Sequence, residues 1–499
     1  MPSAGNSAPS VAAQSARGHR SALLSHAVRV LCKIVSVLVL ARLVSPADHG
    51  LYAMAASLTL LLTLFRDLGL GAAAVQAPEL DEDERTTLHW AHLALGGALA
   101  ALTLALIPTL VWFYEKPALV PLTALMSVSF LFIGLNAWPR VLLARELRFP
   151  ALNRLETQSV LLATGAMIAT GAAGGGAYAF AVFLLVSEFW ITLAAWRACA
   201  WRPRGRCRWR RLGPLLHTGL PLTFHHVVAH LGGALPILAL GRWFGATPLG
   251  FYNRSAQLLA LPIQHVATPL AQVLHAALAR TDRRAPDFAG QLRNTARLIL
   301  HLTLPVAVLC LALPAETCRL VLGPDWIDAA PFLRWLAVGA IVNALGATLY
   351  PLGVALGRSR RLAAIGLVTL LASGAALVVA RDAGAVGLVQ ALVVVQTILL
   401  LPRLWWLTRQ SPVRVTDYLA AAAGPFALAA ALFAGLTLGA TLAAPLAWSG
   451  RLLAAATGAG LCAGLLTALW PKLRHELHEV WWHRPRLRDL QSSNTETVP

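Results

Sequence analysis

The chain has 499 residues, of which 57% are hydrophobic and 13% charged, with 41 Lys and Arg against 22 Asp and Glu. A soluble domain carries about 25% charged residues, so this composition excludes an ordinary soluble protein. The mean hydropathy of +0.65 also excludes a disordered chain. What remains is an all-α polytopic membrane protein, in which the positions of the positive charges matter more than their total.

Apolar stretches long enough to cross the hydrocarbon core, which takes about 20 residues, recur along the chain. They predict about fourteen transmembrane helices, at residues 22–42, 51–75, 88–113, 118–138, 157–173, 176–196, 214–240, 249–279, 297–322, 331–356, 362–380, 385–408, 419–440 and 451–470. Lys and Arg concentrate in alternate loops, which indicates that both termini are cytoplasmic. No loop is long enough for an extramembrane domain, so we expect any chemistry to lie inside the helix bundle or at a helix end.

The segments outside the predicted helices are short and mostly basic. Residues 1–21 are rich in Ser, Ala and Gly and are expected to form a disordered cytoplasmic tail. A basic cytoplasmic linker is predicted at 201–213, as an orientation signal that contacts anionic lipids rather than nucleic acid. The acidic run PELDEDER at 78–85 is expected to be a solvated loop. The end of the chain, 471–499, combines Trp with Lys and Arg and is predicted to be an amphipathic or disordered cytoplasmic tail.

The sequence contains an internal repeat, in which residues 22–58 align without gaps with 222–258. The most informative agreement is the pattern Arg–x7–Gly–x–Tyr, which begins at Arg42 and again at Arg242. An even number of predicted helices separates the copies, so both copies have the same orientation in the membrane. The repeat predicts two parallel six-helix lobes and two extra helices, at 22–200, 214–410 and 411–470.

Helix 1 carries many polar side chains for a membrane span. His26, Arg29, Lys33 and Ser36 fall at i, i+3, i+7 and i+10, within about 80° of one another around a helix. Charges in a bilayer are costly and usually face a cavity or a partner. The stripe therefore predicts a binding site for an anion in a central cavity. Snorkelling of Arg29 toward the cytoplasmic headgroups is the alternative.

Charged residues of two further helices are candidates for the same cavity. Helix 2 ends with FRDLGLG, in which Arg66 is another candidate cation and Asp67 a charge-balancing or ion-coupling group. Helix 6 carries Glu188 near its middle. We interpret Glu188 either as a ligand for a coupling ion or proton, or as a buried partner of Arg29 or Lys33.

The second repeat contributes histidines and amides. His226 and His230 lie one turn apart in predicted helix 7, where they either line the cavity or form interhelical hydrogen bonds. No Cys or carboxylate lies nearby in sequence, so a metal site is not expected. Asn253, Arg254 and Gln257 lie near the outer end of helix 8, and Arg254 is predicted to contact a phosphate or sugar or to anchor at the headgroups.

Motifs for enzyme chemistry are not found in the sequence. There are no paired cysteines, no P-loop and no nucleophile elbow. We therefore expect no metal, no cofactor and no ATP hydrolysis on this chain.

Three segments are similar to a known family: VLARLVSPADHGLYAMAASLTLLLTLFRDLGLGAAAVQAPELDEDE, GRWFGATPLGFYNRSAQLLALPIQHVATPLAQVLHAALAR and LVLGPDWIDAAPFLRWLAVGAIVNALGATLYPLGVALGRSRR. They resemble the bacterial Wzx-like polysaccharide repeat-unit flippases, of the colanic-acid and teichuronic-acid exporter type. These belong to the multidrug/oligosaccharidyl-lipid/polysaccharide exporter superfamily. The resemblance implies a V-shaped bundle that opens alternately to either face. It implies transport of undecaprenyl-diphosphate-linked oligosaccharides from the inner to the outer leaflet, for exopolysaccharide or lipopolysaccharide biosynthesis.

The resemblance also implies that cavity cations receive the diphosphate, and Arg29, Lys33 and Arg66 are the matching positions. It implies a non-enzymatic protein of the bacterial inner membrane. Membrane lipids, a polysaccharide polymerase and a co-polymerase are the candidate partners. The alternatives are a peptidoglycan-precursor flippase, a drug or cation antiporter of the same superfamily, and a polyprenyl-dependent glycosyltransferase or polymerase. An antiporter predicts an acidic cavity, whereas the stripe in helix 1 is basic.

Overall fold

The computed structural model describes residues 11–77, 79–209, 231–262, 286–411 and 413–471, together with 264, 268, 270–272, 274 and 278. In this part of the chain every regular element is a helix. Ten of the described helices are long and apolar enough to cross a membrane, as the composition predicts. The count of fourteen helices and the two-lobe architecture stay predictions, because much of predicted helices 7 and 8 lies outside the described residues.

The helices run in chain order as α1 (Val11–Leu43), α2 (Pro46–Thr63), α3 (Leu70–Gln76), α4 (Glu82–Tyr114), α5 (Leu119–Arg145), α6 (Phe149–Ala172), α7 (Tyr178–Ala198), α8 (Leu231–Phe244), α9 (Ala246–Pro262), α10 (Pro286–Ala312), α11 (Ala330–Gly346), α12 (Leu349–Ala355), α13 (Ser359–Val379), α14 (Gly384–Thr408), α15 (Val415–Leu442) and α16 (Trp448–Leu469). Short helical turns lie at Pro314–Thr317, Cys318–Leu322, Pro324–Ala329 and Arg381–Ala383. α1 begins ahead of the predicted start at residue 22. The boundary between α6 and α7 lies where the fifth and sixth spans are predicted to separate.

The predicted span 51–75 is not one continuous helix. α2 ends at Thr63 and α3 begins at Leu70. Between them Leu68 and Gly69 have φ values of 47° and 75°, a left-handed conformation that interrupts a right-handed helix. Hydropathy carries no information on backbone handedness, so the prediction of a continuous span is wrong at this point.

The break presents two charged residues in a non-helical turn. Arg66 and Asp67 both belong to this turn, and Asp67 accepts a hydrogen bond from the Gly71 amide at 2.9 Å. This bond satisfies one of the first N–H groups of α3, which have no partner within the helix. The Asp67 carboxylate therefore fixes the turn to α3.

The described residues form two compact units, each with its own core. The first contains the described residues up to Arg254 together with 321–329 and 369–389, and the second contains the remainder. The core of the first unit includes Trp138, which is completely buried. In the second unit, Phe288 is completely buried in a cluster of leucines and valines. Both cores follow from apolar helices that bury their faces against one another.

The acidic run before α4 contacts the basic linker. Asp83 accepts a hydrogen bond from the Arg206 amide at 2.8 Å and forms an ion pair with Arg208 at 2.9 Å. The indole of Trp201 donates to Glu82 at 2.9 Å. The prediction of a loop is wrong from Glu82 on, because α4 begins there. These carboxylates stay exposed or partly exposed, bind the linker, and lie near the positive end of the α4 dipole, which favours negative charge.

The first turns of α2 and α9 contact each other closely. A Cβ atom at Gly50 would overlap the carbonyl oxygen of Ala246, and a Cβ atom at Gly250 would overlap that of Pro46. Both helices thus begin at the 200-residue offset of the sequence repeat. Glycine is required at both positions because no other residue permits this approach of two backbones.

Candidate functional site

The first unit contains a cavity of about 520 Å³ that combines charged and apolar walls. The turn between α2 and α3 forms one wall, and α5, α6 and α7 form the others. The lining residues are Arg66, Asp67, Gly71, Val75, Ile133, Asn136, Ala137, Arg140, Val141, Ala144, Leu152, Glu156 and Glu188. Charged side chains within an apolar helix bundle generally mark a substrate or ion pathway, so this cavity is the candidate functional site.

Two arginines share one carboxylate at the cavity wall. Arg140 Nη2 donates to Glu156 Oε1 at 3.0 Å, and Arg29 Nη1 lies 3.7 Å from Glu156 Oε2. Arg29 also donates to the hydroxyl of Thr157 at 3.4 Å. The three charged side chains stay partly exposed. Because one carboxylate neutralises only one guanidinium, the group leaves a net positive charge beside the cavity.

Asp67 is bonded to a buried histidine of α4. His92 Nε2 lies 2.8 Å from Asp67 Oδ1, and its Nδ1 lies 2.7 Å from the carbonyl oxygen of Leu88. The imidazole is completely buried, whereas the Asp67 side chain is 38% exposed. The adjacent Arg66 is exposed and lines the cavity. The partner of Asp67 is therefore a histidine of α4, and not a cation of α1.

Glu188 is held in the cavity by an amide. Asn136 Nδ2 donates to Glu188 Oε2 at 2.9 Å and to the hydroxyl of Thr192 at 3.3 Å. Thr192 in turn donates to the backbone carbonyl oxygen of Glu188 at 2.7 Å. Neither Arg29 nor Lys33 is the partner seen for this carboxylate, which leaves its charge facing the cavity.

The stripe predicted on α1 divides in the structure. Arg29 is half-buried and reaches Glu156 at the cavity wall. His26 and Lys33 have exposed side chains and do not belong to the lining set. Of these three predicted residues, only Arg29 contacts a residue that lines the cavity.

The residues predicted in helix 8 lie on α9. Arg254 is 3% exposed, and its guanidinium donates to the carbonyl oxygen of Val37 at 3.2 Å. Asn253 is half-buried and Gln257 is exposed. The predicted residues His226 and His230 lie outside the described residues.

Four residues of the site are missing from the sequence-based candidates: His92, Asn136, Arg140 and Glu156. Arg140 and Glu156 fall between the predicted spans 118–138 and 157–173, whereas α5 and α6 extend far enough to include both. The i, i+4 spacing of Asn136 and Arg140 is a usable signal, because it places both on one helix face. Nothing in the sequence distinguishes His92 from His89.

The amino-acid sequence is similar to a known family and to proteins of polysaccharide biosynthesis. The family described as "Polysaccharide biosynthesis protein" matches residues 39–331. The chain is 23% identical to the teichuronic acid biosynthesis protein TuaB of Bacillus subtilis strain 168 over 339 residues, which cover 68% of this chain and 70% of TuaB. It is 23% identical to the lipopolysaccharide biosynthesis protein WzxC of Escherichia coli strain K12 over 315 residues, which cover 63% of this chain and 64% of WzxC.

Among solved structures, the chain is similar to the lipid II flippase MurJ in an inward closed conformation. The TM-score is 0.71 and the sequence identity 13%, with 90% of this chain and 98% of MurJ covered. At this identity the likeness shows a shared fold. It agrees with the all-helical membrane architecture described above.

Proposed function

This chain belongs to the polysaccharide biosynthesis protein family, and we propose that it carries polyprenyl-diphosphate-linked oligosaccharides from the inner to the outer leaflet of the bacterial inner membrane. Such a substrate serves exopolysaccharide or lipopolysaccharide assembly. A charged diphosphate with its sugars does not cross about 30 Å of hydrocarbon unaided. The protein is on this proposal a carrier and not an enzyme, with both termini in the cytoplasm. A polysaccharide polymerase and a co-polymerase are its candidate partners.

The observation that carries the proposal is the charged cavity in the first unit. Arg29, Arg66 and Arg140 lie in it or pair with a residue of its wall. Guanidinium groups bind phosphate oxygens through two parallel hydrogen bonds, which suits a diphosphate. We assign these three arginines to the diphosphate, while the apolar polyprenyl tail stays in lipid. His26 and Lys33, predicted on the same stripe of α1 as Arg29, are further candidates for contact with the substrate.

A drug or cation antiporter is the second candidate, because the same cavity also contains three carboxylates. Asp67, Glu156 and Glu188 all line it. Of these, Glu156 is shared by two arginines, and Asp67 is bonded to His92. Glu188 is the carboxylate with an amide partner, so it is the best candidate for a coupling-ion ligand. We therefore favour an anion carrier, in which the acidic groups either balance the charge of the arginines or bind a coupling ion.

Leaflet exchange in reconstituted liposomes tests the proposal. The full-length protein is reconstituted with a fluorescent polyprenyl-diphosphate oligosaccharide, and a membrane-impermeant quencher measures how fast the inner pool becomes accessible. Arg66→Gln and Arg140→Gln should each slow exchange by about tenfold, the effect of losing one charge-assisted phosphate contact. Arg381→Gln is the matched control, because this arginine is 60% exposed in the turn at 381–383, outside the cavity lining.

Two results would count against this function. One is exchange at the wild-type rate in both cavity variants with unchanged protein levels. The other is a wild-type protein that exchanges no lipid but accumulates an organic cation, which would favour the antiporter.

A further inference from the structure

We propose that Asp67 and His92 form a proton-binding site that controls the net charge of the cavity and hence its affinity for an anionic diphosphate. The proton site itself is independent of the proposed function. The effect on diphosphate affinity rests on the proposed function. Nothing about Asp67 alone leads to this inference. The two bonds made by the imidazole ring carry it.

The first bond fixes one hydrogen. The carbonyl oxygen of Leu88 can only accept, so the 2.7 Å contact requires a hydrogen on His92 Nδ1. A neutral imidazole has a single N–H group, and its other nitrogen is then an acceptor. In the neutral ring, Nε2 therefore has no hydrogen to give to Asp67.

The second bond requires one more proton. An ionised carboxylate only accepts, so a neutral His92 and an ionised Asp67 would place two acceptors 2.8 Å apart. The contact is a hydrogen bond only when a proton lies between the two atoms. Either a carboxylic acid donates to Nε2, or an imidazolium donates to the carboxylate. In both forms the pair has bound one proton and has no net charge.

Charged and titratable groups from each wall face this pair. On the same turn lies Arg66, and Asp67 also accepts from the Gly71 amide. The cavity that Asp67 lines is also lined by Arg140 of α5, Glu156 of α6 and Glu188 of α7, and His89 lies about one turn from His92 on α4. His89 is buried between tryptophan rings rather than against Asp67. The pair thus lies where a gain or loss of one charge changes the cavity as a whole.

The proton on this pair decides whether the cavity has a net positive charge. With the proton bound, the guanidinium groups of Arg29, Arg66 and Arg140 exceed the carboxylates of Glu156 and Glu188 by one. Without it, the ionised Asp67 cancels that excess. Protonation therefore favours an anion in the cavity. By thermodynamic linkage, a bound anion favours the proton equally.

Two substitutions have opposite expected effects. In Asp67→Asn, the amide donates to Nε2, so the pair carries no negative charge at any pH. In His92→Gln, the amide donates to Asp67 and leaves its carboxylate ionised. His89→Gln is the matched control, since it alters a buried histidine of the same helix that is not bonded to Asp67.

The experiment uses the purified full chain in lipid nanodiscs with two measurements. Infrared difference spectra between alkaline and acidic buffer report titration of the hydrogen-bonded pair. We expect a component in which carboxyl and imidazole bands change together in the wild type and in His89→Gln, over the other Asp, Glu and His bands common to all four proteins, and its loss in both pair variants. Its persistence in either pair variant would overturn the site. Protein labelled with 15N-histidine gives a check on the wild type, with the His92 signals assigned by their loss in His92→Gln: absence of a proton on Nδ1 of His92 would also overturn the site.

Binding of inorganic pyrophosphate tests the link to the cavity charge. Because pyrophosphate itself titrates, the ratio of wild-type to variant affinity is compared at each pH. The wild type should equal Asp67→Asn in acid and bind about tenfold more weakly in alkali, and His92→Gln should be the weaker binder throughout. A constant ratio would overturn the charge coupling. Normal infrared titration without pyrophosphate binding in any variant would leave the proton site standing and refute the proposed function.

Discussion

Gly50 and Gly250 face each other's helices in a reciprocal contact. The missing side chain of Gly50 makes room for the carbonyl of Ala246, and that of Gly250 makes room for the carbonyl of Pro46. A Cβ at Gly250 would also lie 3.2 Å from the Gly50 amide nitrogen. The close backbone contact thus explains why both copies of the Arg–x7–Gly–x–Tyr pattern have glycine at this position.

Alanine at either glycine should destabilise the first unit. The new methyl group meets backbone, which cannot rotate away as a side chain can, so we expect a cost of about 3 kcal/mol for Gly50→Ala or Gly250→Ala. Thermal unfolding in detergent measures it. Gly97→Ala in α4 is the control, because its Cβ would meet nothing within 4 Å. An equal melting temperature for Gly50→Ala and Gly97→Ala would contradict the contact.

The helices of this protein could largely be predicted from the sequence, whereas the partners in the site could not. Hydropathy locates most of the described spans because only length and composition matter for crossing a membrane, although α1, α5 and α6 extend beyond their predicted bounds. It does not detect the break at Leu68, which depends on backbone handedness. The bond between Asp67 and His92 depends on the rotation of α4 about its axis, and that rotation is set by packing against neighbouring helices.

The charged residues show the same division. Arg66, Asp67 and Glu188 line the cavity, as expected for ionisable groups in a membrane. Glu156 lies one residue before the predicted span 157–173, so the sequence alone does not place it on a helix face. The sequence therefore indicates which charges are functional candidates, and the structure adds which of them share a counter-ion or contact a histidine.

Arg29 and Arg140 should be energetically coupled through Glu156. Either arginine alone still neutralises this carboxylate, whereas loss of both leaves it unpaired. We expect Arg29→Gln and Arg140→Gln to cost little singly, and the double variant to lose about 1 kcal/mol more than their sum, since the groups are partly exposed. Denaturation of all four proteins measures the coupling. Adding Glu156→Gln to the double variant should restore stability, and strictly additive single effects would contradict the shared carboxylate.

Cys207 should be the reactive thiol of the basic linker and report which side of the membrane it occupies. It is exposed, whereas Cys199 is buried and its burial raises the pKa of that thiol. A higher pKa leaves less thiolate at neutral pH, so we expect Cys207 to react at least about tenfold faster with a maleimide. A membrane-impermeant maleimide should label it in inverted vesicles and not in intact cells.

The control for this labelling is Cys207→Ser, which should remove the rapid phase. Rapid labelling of the wild type in intact cells would place the linker outside and reverse the proposed cytoplasmic orientation of both termini. This result would leave the cavity geometry unaffected, because the linker lies outside it.

Glu316 and Arg451 form an ion pair in the second unit that should matter for stability. Arg451 Nη2 lies 3.1 Å from Glu316 Oε1, and the carboxylate side chain is only 9% exposed against 37% for the arginine. Removal of the arginine leaves a buried charge without a partner, which is costly even though the arginine itself is partly screened by solvent. We expect Arg451→Leu to lose about 2 kcal/mol in thermal unfolding.

The double variant Arg451→Leu with Glu316→Gln should recover most of that loss, because the buried group is then neutral. Arg381→Leu is the control, since Arg381 and Asp382 form a pair with both side chains well exposed, and exposed pairs contribute little. Equal melting temperatures for Arg451→Leu and Arg381→Leu would contradict this prediction. The Glu316 carboxylate would then be hydrated or protonated, and its ion pair would not stabilise the contact between the turn at Pro314–Thr317 and α16.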